Sequence, residues 1–148
     1  MEKNKVLQHY KQLVQDKLDI FQDMIHELAL DAQNDAKGSA GDKHETALSM
    51  MHLEQEKLNQ KVAEINQQKN ILDQIDATQK HQVAALGSLI KTNGMYLFVS
   101  CAMPKISINK QTIIALSPQS PLGKQIIGKK IGYEFSIQNT IYTIEDVI

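Results

Sequence analysis

Two runs of seven-residue repeats, parted by a short stretch holding two glycines, constrain this chain more than anything else in it. Leu7, Val14, Phe21 and Leu28 recur at sevens, and Tyr10, Leu18, Ile25 and Ala32 interleave three or four positions later. This is the a/d pattern of a coiled-coil seam, with Gln, Asp, Lys and Glu filling most other positions. A second run, from about Lys43 to Lys80, repeats it with Met51, Leu58, Ile65 and Leu72, and with Leu48 and Val62 between them. Its seam is weaker, because Gln55, Lys69 and Asp76 fall on alternate positions. Neither run contains proline.

Between them lies Gly38-Ser39-Ala40-Gly41-Asp42-Lys43-His44-Glu45. The glycines permit backbone conformations that end a helix. Asp42 stands where a new helix begins, and Glu45 follows three residues later. Two apolar stripes of similar length joined by a short turn most economically bury one another as an antiparallel hairpin. Each arm of roughly 35 residues, at ~1.5 Å per residue, reaches about 50 Å. Pairing between chains is the rival arrangement, and the glycine break favours the hairpin and a monomer.

The remaining composition narrows the function. Residues 1–87 carry ten lysines against fourteen carboxylates, whereas residues 88–148 carry six against three. All sixteen basic residues are lysine, so no guanidinium fork exists for bidentate recognition of phosphate or bases. A free-standing DNA binder is disfavoured. The single cysteine, Cys101, sits in an apolar run and reads as a buried small hydrophobe in a reducing compartment. Met1-Glu2-Lys3-Asn4-Lys5 is followed by no apolar signal region, and no apolar run approaches the ~18 residues of a membrane span. The expectation is a soluble cytoplasmic protein without a membrane partner. The five histidines show no zinc-ligand spacing. His44 alone stands out, lying between Asp42 and Glu45.

The periodicity changes after His81. Gly87 is expected to close the second arm, and a strand to start at Ser88. Leu89-Ile90-Lys91 and Met95–Val99 flank Thr92-Asn93-Gly94, whose Asn-Gly pair signals a hairpin. Ile106–Ile108 and Thr112–Leu116 supply further strands, separated by Asn109-Lys110-Gln111. Ser120 as N-cap and Pro121 as first helical residue begin a short helix that Gly128 closes. Tyr133–Gln138 and Ile141–Val147 make two last strands around a turn at Asn139-Thr140. The expected fold class is α+β. It places a coiled-coil hairpin over residues 1–82, with its acidic tip near 38–45. A small antiparallel sheet with one packed helix follows over residues 83–148.

The stretch Ser117-Pro118 through Gly132 resembles the Gre family of bacterial transcript-cleavage factors, a class of transcription elongation factor. Its Ser-Pro-Leu-Gly-Lys, its Ile-Ile-Gly-Lys-Lys and the final Tyr142-Thr143-Ile144 strand carry the resemblance. The family combines an antiparallel coiled coil with an FKBP-like α+β domain, so the resemblance implies that architecture. At the tip, Gly41-Asp42-Lys43-His44-Glu45 is similar to the family's Gly-Asp-x-x-Glu element. The continuation Thr46-Ala47-Leu48-Ser49 keeps only the alanine of the family's Asn-Ala-Glu-Tyr.

The implied function is binding to RNA polymerase through its secondary channel and stimulation of cleavage of backtracked RNA. Asp42 and Glu45 would help position a second Mg²⁺ shared with the polymerase, near the nascent RNA 3′ end. The chain alone would be no enzyme. Lys124, Lys129 and Lys130 are candidates for contact with the polymerase rim, and equally for a solvated basic face. Asp42 and Glu45 likewise read as a capping box that satisfies free backbone N–H groups. Two other functions stay open: a non-cleaving secondary-channel regulator, and a coiled-coil adaptor unconnected to polymerase.

Overall fold

The computed structural model describes the backbone of residues 1–38 and 42–148, and the side chains of residues 1–34 and 46–148. The protein is α+β. Two long helices, α1 (Lys3–Gly38) and α2 (Asp42–Asp73), pack together and precede a mixed six-stranded sheet. The strands are β1 (Leu89–Thr92), β2 (Tyr96–Val99), β3 (Ile106–Ile108), β4 (Gln111–Leu116), β5 (Glu134–Ile137) and β6 (Thr140–Val147). A short helix, α3 (Pro121–Ile126), lies between β4 and β5. The chain forms two compact units, one of residues Gln12–Lys69 and one of Met1–Lys11 with Asn70–Ile148. The change of pattern near residue 82 therefore falls inside the second of these.

In the helical unit the seven-residue pattern is visible as burial. Along α1, Val14 and Leu18 are buried and Phe21, Ile25, Leu28 and Ala32 half-buried, while most neighbours are exposed. Along α2, Leu58 and Ile65 are buried, and Leu48, Met51, Gln55, Val62 and Lys69 are half-buried. Gln55 and Lys69, two of the polar residues on the weak seam, are thus partly covered. Lys and Gln tolerate such positions because their aliphatic stems can be buried while the polar ends stay wet.

α2 ends at Asp73, about two turns before the expected Lys80. Asp76 would have occupied the next seam position, yet it is exposed and caps the chain locally. Its Oδ1 accepts from Thr78 N at 2.9 Å and Thr78 Oγ1 at 2.6 Å. A carboxylate that hydrogen-bonds its own following backbone competes with helix continuation. Gly87 consequently ends no helix. It has φ +89°, donates to Val99 O at 2.7 Å, and leads into the sheet.

The sheet order is β3-β4-β2-β1-β6-β5. β2 pairs parallel with β4, Phe98 opposite Ala115, whereas every other pairing is antiparallel. The expected all-antiparallel sheet is therefore corrected. β3 folds back on β4 at the sheet edge, which returns β4 alongside β2 in the same direction. β2 is buried along its whole length, as its continuous apolar run requires of a strand covered on both faces.

Register sorts the residues by face. Ile90, Leu97, Val99, Leu116, Ile144 and Val147 form one core with Ile126 of α3 and Phe135 of β5. Leu89, Phe98 and Ala115 lie on the opposite face. There Tyr10 of α1 stacks on Phe98, with ring centroids 5.9 Å apart and planes 12° apart. Val6 and Leu7, one turn earlier, are also buried. The first turns of α1 thus belong to the core of the sheet unit.

The turn chemistry differs from the sequence expectation. Neither Asn93 nor Gly94 has positive φ. The β1–β2 turn is held by Thr92 Oγ1, which accepts from Gly94 N and Met95 N at 3.3 and 3.1 Å. Glycine at position 94 leaves room for the Tyr142 ring, from which a Cβ there would sit 3.0 Å. The left-handed turns are instead Asn109-Lys110, with φ 51° and 65°, and Gln138-Asn139, with φ 49° and 67°.

α3 follows its sequence signals. Ser120 Oγ accepts from Gly123 N at 3.0 Å, Pro121 occupies the first turn, and Gly128 has φ +80°. Gly123 is under the tightest constraint, because a Cβ there would lie 2.0 Å from Ser117 O and 2.9 Å from Pro118 backbone atoms. Gly123→Ala should therefore lower stability by roughly 1–3 kcal/mol through overpacking against backbone. Gly128→Ala has open space and should cost only about 1 kcal/mol, from its left-handed backbone. Urea titrations of the two variants would check the ranking; an equal or reversed cost would contradict the close approach at Gly123.

Candidate functional site

The two carboxylates singled out in the sequence fall in the first turn of α2, which begins at Asp42. Their side chains, and that of His44, lie outside the described residues, as do Ser39, Ala40 and Gly41 altogether. Among the described residues no group of three or more His, Cys, Asp or Glu side chains is placed to hold a metal ion. In chemical character Asp42 and Glu45 fit Mg²⁺, a hard cation that takes carboxylate oxygens and keeps several waters.

The three lysines belong to the sheet unit and divide between two places. Lys124 is exposed in the last turn of α3, where a cation suits the helix dipole. Lys129 and Lys130 are also exposed, and both line a hollow of about 500 Å³ together with Val83, Gly128, Ile131 and Tyr133. Lys129 Nζ stands 5.0 Å from the centre of the Tyr133 ring, within cation–π range.

This rim is built by backbone. Ala84 N donates to Lys129 O and Gly128 N to Ala84 O, each at 2.8 Å, which ties the Val83 segment to the α3–β5 connection. Gly132 N donates to Ile144 O at 2.8 Å, fixing the other end on β6. Val83, Ile131 and Tyr133 were not singled out from sequence. The signal was Ile131 itself, an isolated aliphatic between lysines and glycine in a segment with no helical or strand period.

A second polar feature escaped the sequence reading. Lys3 is 4 % exposed, and its Nζ donates to Gln79 O and, at 3.2 Å, to Ile148 O. Burial pulls its pKa below the ordinary lysine value, against the opposing attraction of Asp76. Burial likewise lowers the His81 pKa, and the Lys3 charge adds to that effect. These groups tie the start of α1 to the 74–87 segment and to the end of β6, a structural task.

Tyr10 is equally buried, with its hydroxyl directed at Pro104 O and Ile113 O, 3.3 and 3.4 Å away. Burial pushes its pKa up to about 12 from 10.0. Because the unfolded chain ionises first, the stability present below pH 10 should decline as pH rises through 12. The loss attached to Tyr10 is on the order of 2 kcal/mol. Denaturant midpoints measured between pH 9 and 12 should fall less steeply for Tyr10→Phe than for the wild type. Parallel slopes would show that Tyr10 ionises freely in the fold.

Among the described residues no helix is long and apolar enough to cross a membrane. Compared with models of known protein families and with curated proteins, the sequence matches none.

Proposed function

We propose that this chain is a Gre-type transcription factor that binds bacterial RNA polymerase through the secondary channel and stimulates cleavage of backtracked RNA. The reading rests on the resemblance of Ser117–Gly132 and of Gly41-Asp42-Lys43-His44-Glu45 to that family. The carrying observation is that α2 starts at Asp42, so both carboxylates fall in one first turn after the break between two long helices. Residues three apart on a helix share a face, as a jointly used pair of ligands requires.

The architecture supports the same reading. One hollow is lined by Lys17 and Phe21 of α1 with Lys61, Glu64 and Ile65 of α2; another by Met24 and Leu28 with Glu54 and Leu58. Contacts that move up α1 as they move down α2 fit an antiparallel coiled-coil hairpin. A six-stranded sheet of mostly short strands with one short helix packed into its core fits an FKBP-like domain. That fold carries no implication of prolyl isomerase activity, since function resides in sites and not in folds.

In this function the chain supplies position and charge and the polymerase supplies substrate. The hairpin tip carries Asp42 and Glu45 to the polymerase active centre, where they would offer oxygen ligands to a weakly held Mg²⁺. When bound, that ion stabilises the attacking and leaving oxygens of an in-line phosphoryl displacement. Asp42 can also cap α2, because a carboxylate has more acceptor sites than one cap uses. The exposed Lys124, Lys129 and Lys130 would face the polymerase surface. The location this implies is the cytoplasm, and the expected working form is a monomer.

One observation favours a second reading. Thr46-Ala47-Leu48-Ser49 replaces the family's Asn-Ala-Glu-Tyr, removing a carboxylate and a phenol next to the acidic pair. A tip with fewer polar groups is compatible with a finger that occupies the channel and limits nucleotide access without promoting cleavage.

Asp42→Asn separates the two, because it preserves shape and capping and removes the charge a metal needs. Polymerase binding should survive, and stimulated cleavage of stalled complexes should fall at least about tenfold, the equivalent of ~1.4 kcal/mol of transition-state stabilisation. Raising Mg²⁺ should restore part of the rate. A wild-type chain that binds backtracked polymerase and accelerates cleavage at no Mg²⁺ concentration would establish the channel-regulator reading instead.

A further inference from the structure

Two hollows of the helical unit follow one another along α1 and α2 and carry opposite charge. The first, of about 190 Å³, sets Glu27, Asp31 and Glu54 around Met24, Leu28 and Leu58. The second, of about 300 Å³, sets Lys17, Lys61 and Glu64 beside Phe21 and Ile65. Lys17, Met24 and Asp31 recur at sevens, and so do Glu54, Lys61 and Gln68. A seven-residue step returns a helical position to nearly the same face, so both hollows open on one flank of the two helices. Seven residues at ~1.5 Å each set them about 10 Å apart.

The same flank leaves large apolar side chains in water. Met24 is 43 % exposed, Ile20, one turn before it, 57 %, and Met50, one turn before Glu54, 67 %. Residues four apart on a helix share a face. Isolated exposed aliphatics need no explanation, but several gathered beside two concavities mark an interaction surface.

Charge decides what covers it. Among the described residues Glu27, Asp31, Glu54 and Lys17 join no ion pair. Lys61 meets Glu64 at 3.7 Å, but both side chains are at least 60 % exposed, so water screens that contact. Lys57, exposed on α2, lines neither hollow. The flank is thus anionic at one end, cationic at the other, and apolar between them at Ile20 and Met24. A basic amphipathic helix of another protein would match the anionic end alone and leave Lys17 and Lys61 uncovered. A second copy turned end for end matches both ends at once, and the two-fold symmetry makes each match twice. A copy laid in the same direction would set carboxylates against carboxylates.

We propose that two copies of this chain pair reversibly along this flank, related by a two-fold axis that crosses the helices. Lys17 and Lys61 of each copy meet Glu27, Asp31 and Glu54 of the other, and Ile20 and Met24 are covered between them. Each α1–α2 pair stays intact, and the two together form a four-helix arrangement. The contact is short and its charges lie near water, so the association is weak and salt-sensitive. This pairing does not rest on the transcription-factor reading. Under that reading it is a resting form, because helices covered by a second copy cannot enter a channel.

The test is sedimentation velocity of the full-length chain from about 5 to 500 µM, at ~50 and ~500 mM NaCl. The wild type should show a monomer–dimer equilibrium that weakens at least about fivefold at high salt. Lys17→Glu/Lys61→Glu makes both hollows anionic, and Glu27→Lys/Glu54→Lys makes both mainly cationic. Each variant alone should dimerise at least about tenfold more weakly at low salt, and an equimolar mixture of the two should recover a heterodimer. Ile20→Gln changes no charge at an exposed position and should weaken pairing about threefold or more at both salt concentrations. It probes the apolar part even if a double substitution loosens the helices, which far-UV circular dichroism would reveal.

A wild type that stays monomeric at every concentration overturns the proposal. So does a dimer that both charge variants retain, or a mixture that recovers none. A monomeric wild type that instead binds an amphipathic Lys/Leu helical peptide, with binding lost in Glu27→Lys/Glu54→Lys, would assign the flank to another protein and defeat self-pairing. None of these readouts involves polymerase, so failure here leaves the transcription-factor reading standing.

Discussion

The stack of Tyr10 on Phe98 is the contact on which the sheet unit depends. It joins the third turn of α1 to the middle of the central strand, almost ninety residues away in sequence. An aromatic pair of this kind contributes about 0.5–1.5 kcal/mol beyond the apolar area it buries. Its larger effect is to cover the second face of β2. Without the first turns of α1, Phe98 and its facing neighbours Leu89 and Ala115 would lose their aromatic cover. A domain of residues 88–148 alone would thus be a sheet with one finished face. The buried ammonium of Lys3, satisfied by carbonyl groups from the 74–87 segment and the last residue of the chain, closes the same face by polar means. Burying such a cation is costly unless it is hydrogen-bonded, and its position is therefore tightly specified.

That arrangement explains why the seven-residue pattern was legible and its use was not. Tyr10 and Leu7 occupy proper seam positions, and from sequence they read as the first layer of a coiled coil. Periodicity reports only that one stripe of a helix is buried. It carries no information about which surface does the burying. In α1 the stripe is continuous, yet residues up to Lys11 belong to the sheet unit and those from Gln12 onward to the helical one. No glycine or proline marks the change, because the helix itself does not change. The end of α2 was misplaced for a related reason: Ile75 continues the run of apolar residues and is indeed buried, but it lies past the helix, just before the turn that Asp76 and Thr78 organise.

The strands and α3 were placed nearly residue for residue, because each is bounded by groups with strong local preferences. Where chemistry acts over a longer range, the sequence was silent. The parallel pairing of β2 with β4 is a property of how β3 turns back at the edge. The glycine of Asn93-Gly94 answers to the close approach of the Tyr142 ring and not to its own φ. Gly123 teaches the same lesson inside the most recognisable motif of the chain. The Ser-Pro-Leu-Gly pattern is needed so that α3 can start against the Ser117-Pro118 backbone with no Cβ in the way. A motif of this kind specifies how a helix is fastened to a sheet, and so the resemblance it carries bears first on fold.

Chemistry must then be sought where the packing leaves residues unexplained. Lys3, Tyr10 and Gly123 each have a complete structural role. The side chains of Lys130 and Ile131 have no such role: both are exposed, and an aliphatic side chain in water offsets no cost of folding. Asp42 and Glu45 occupy an intermediate position, since a helix start gains about 1 kcal/mol from a capping carboxylate whatever else it does. The absence of arginine bears on both places. Lysine offers a mobile, strongly hydrated point charge and no planar fork, so its pairing with carboxylates gives attraction without fixed geometry.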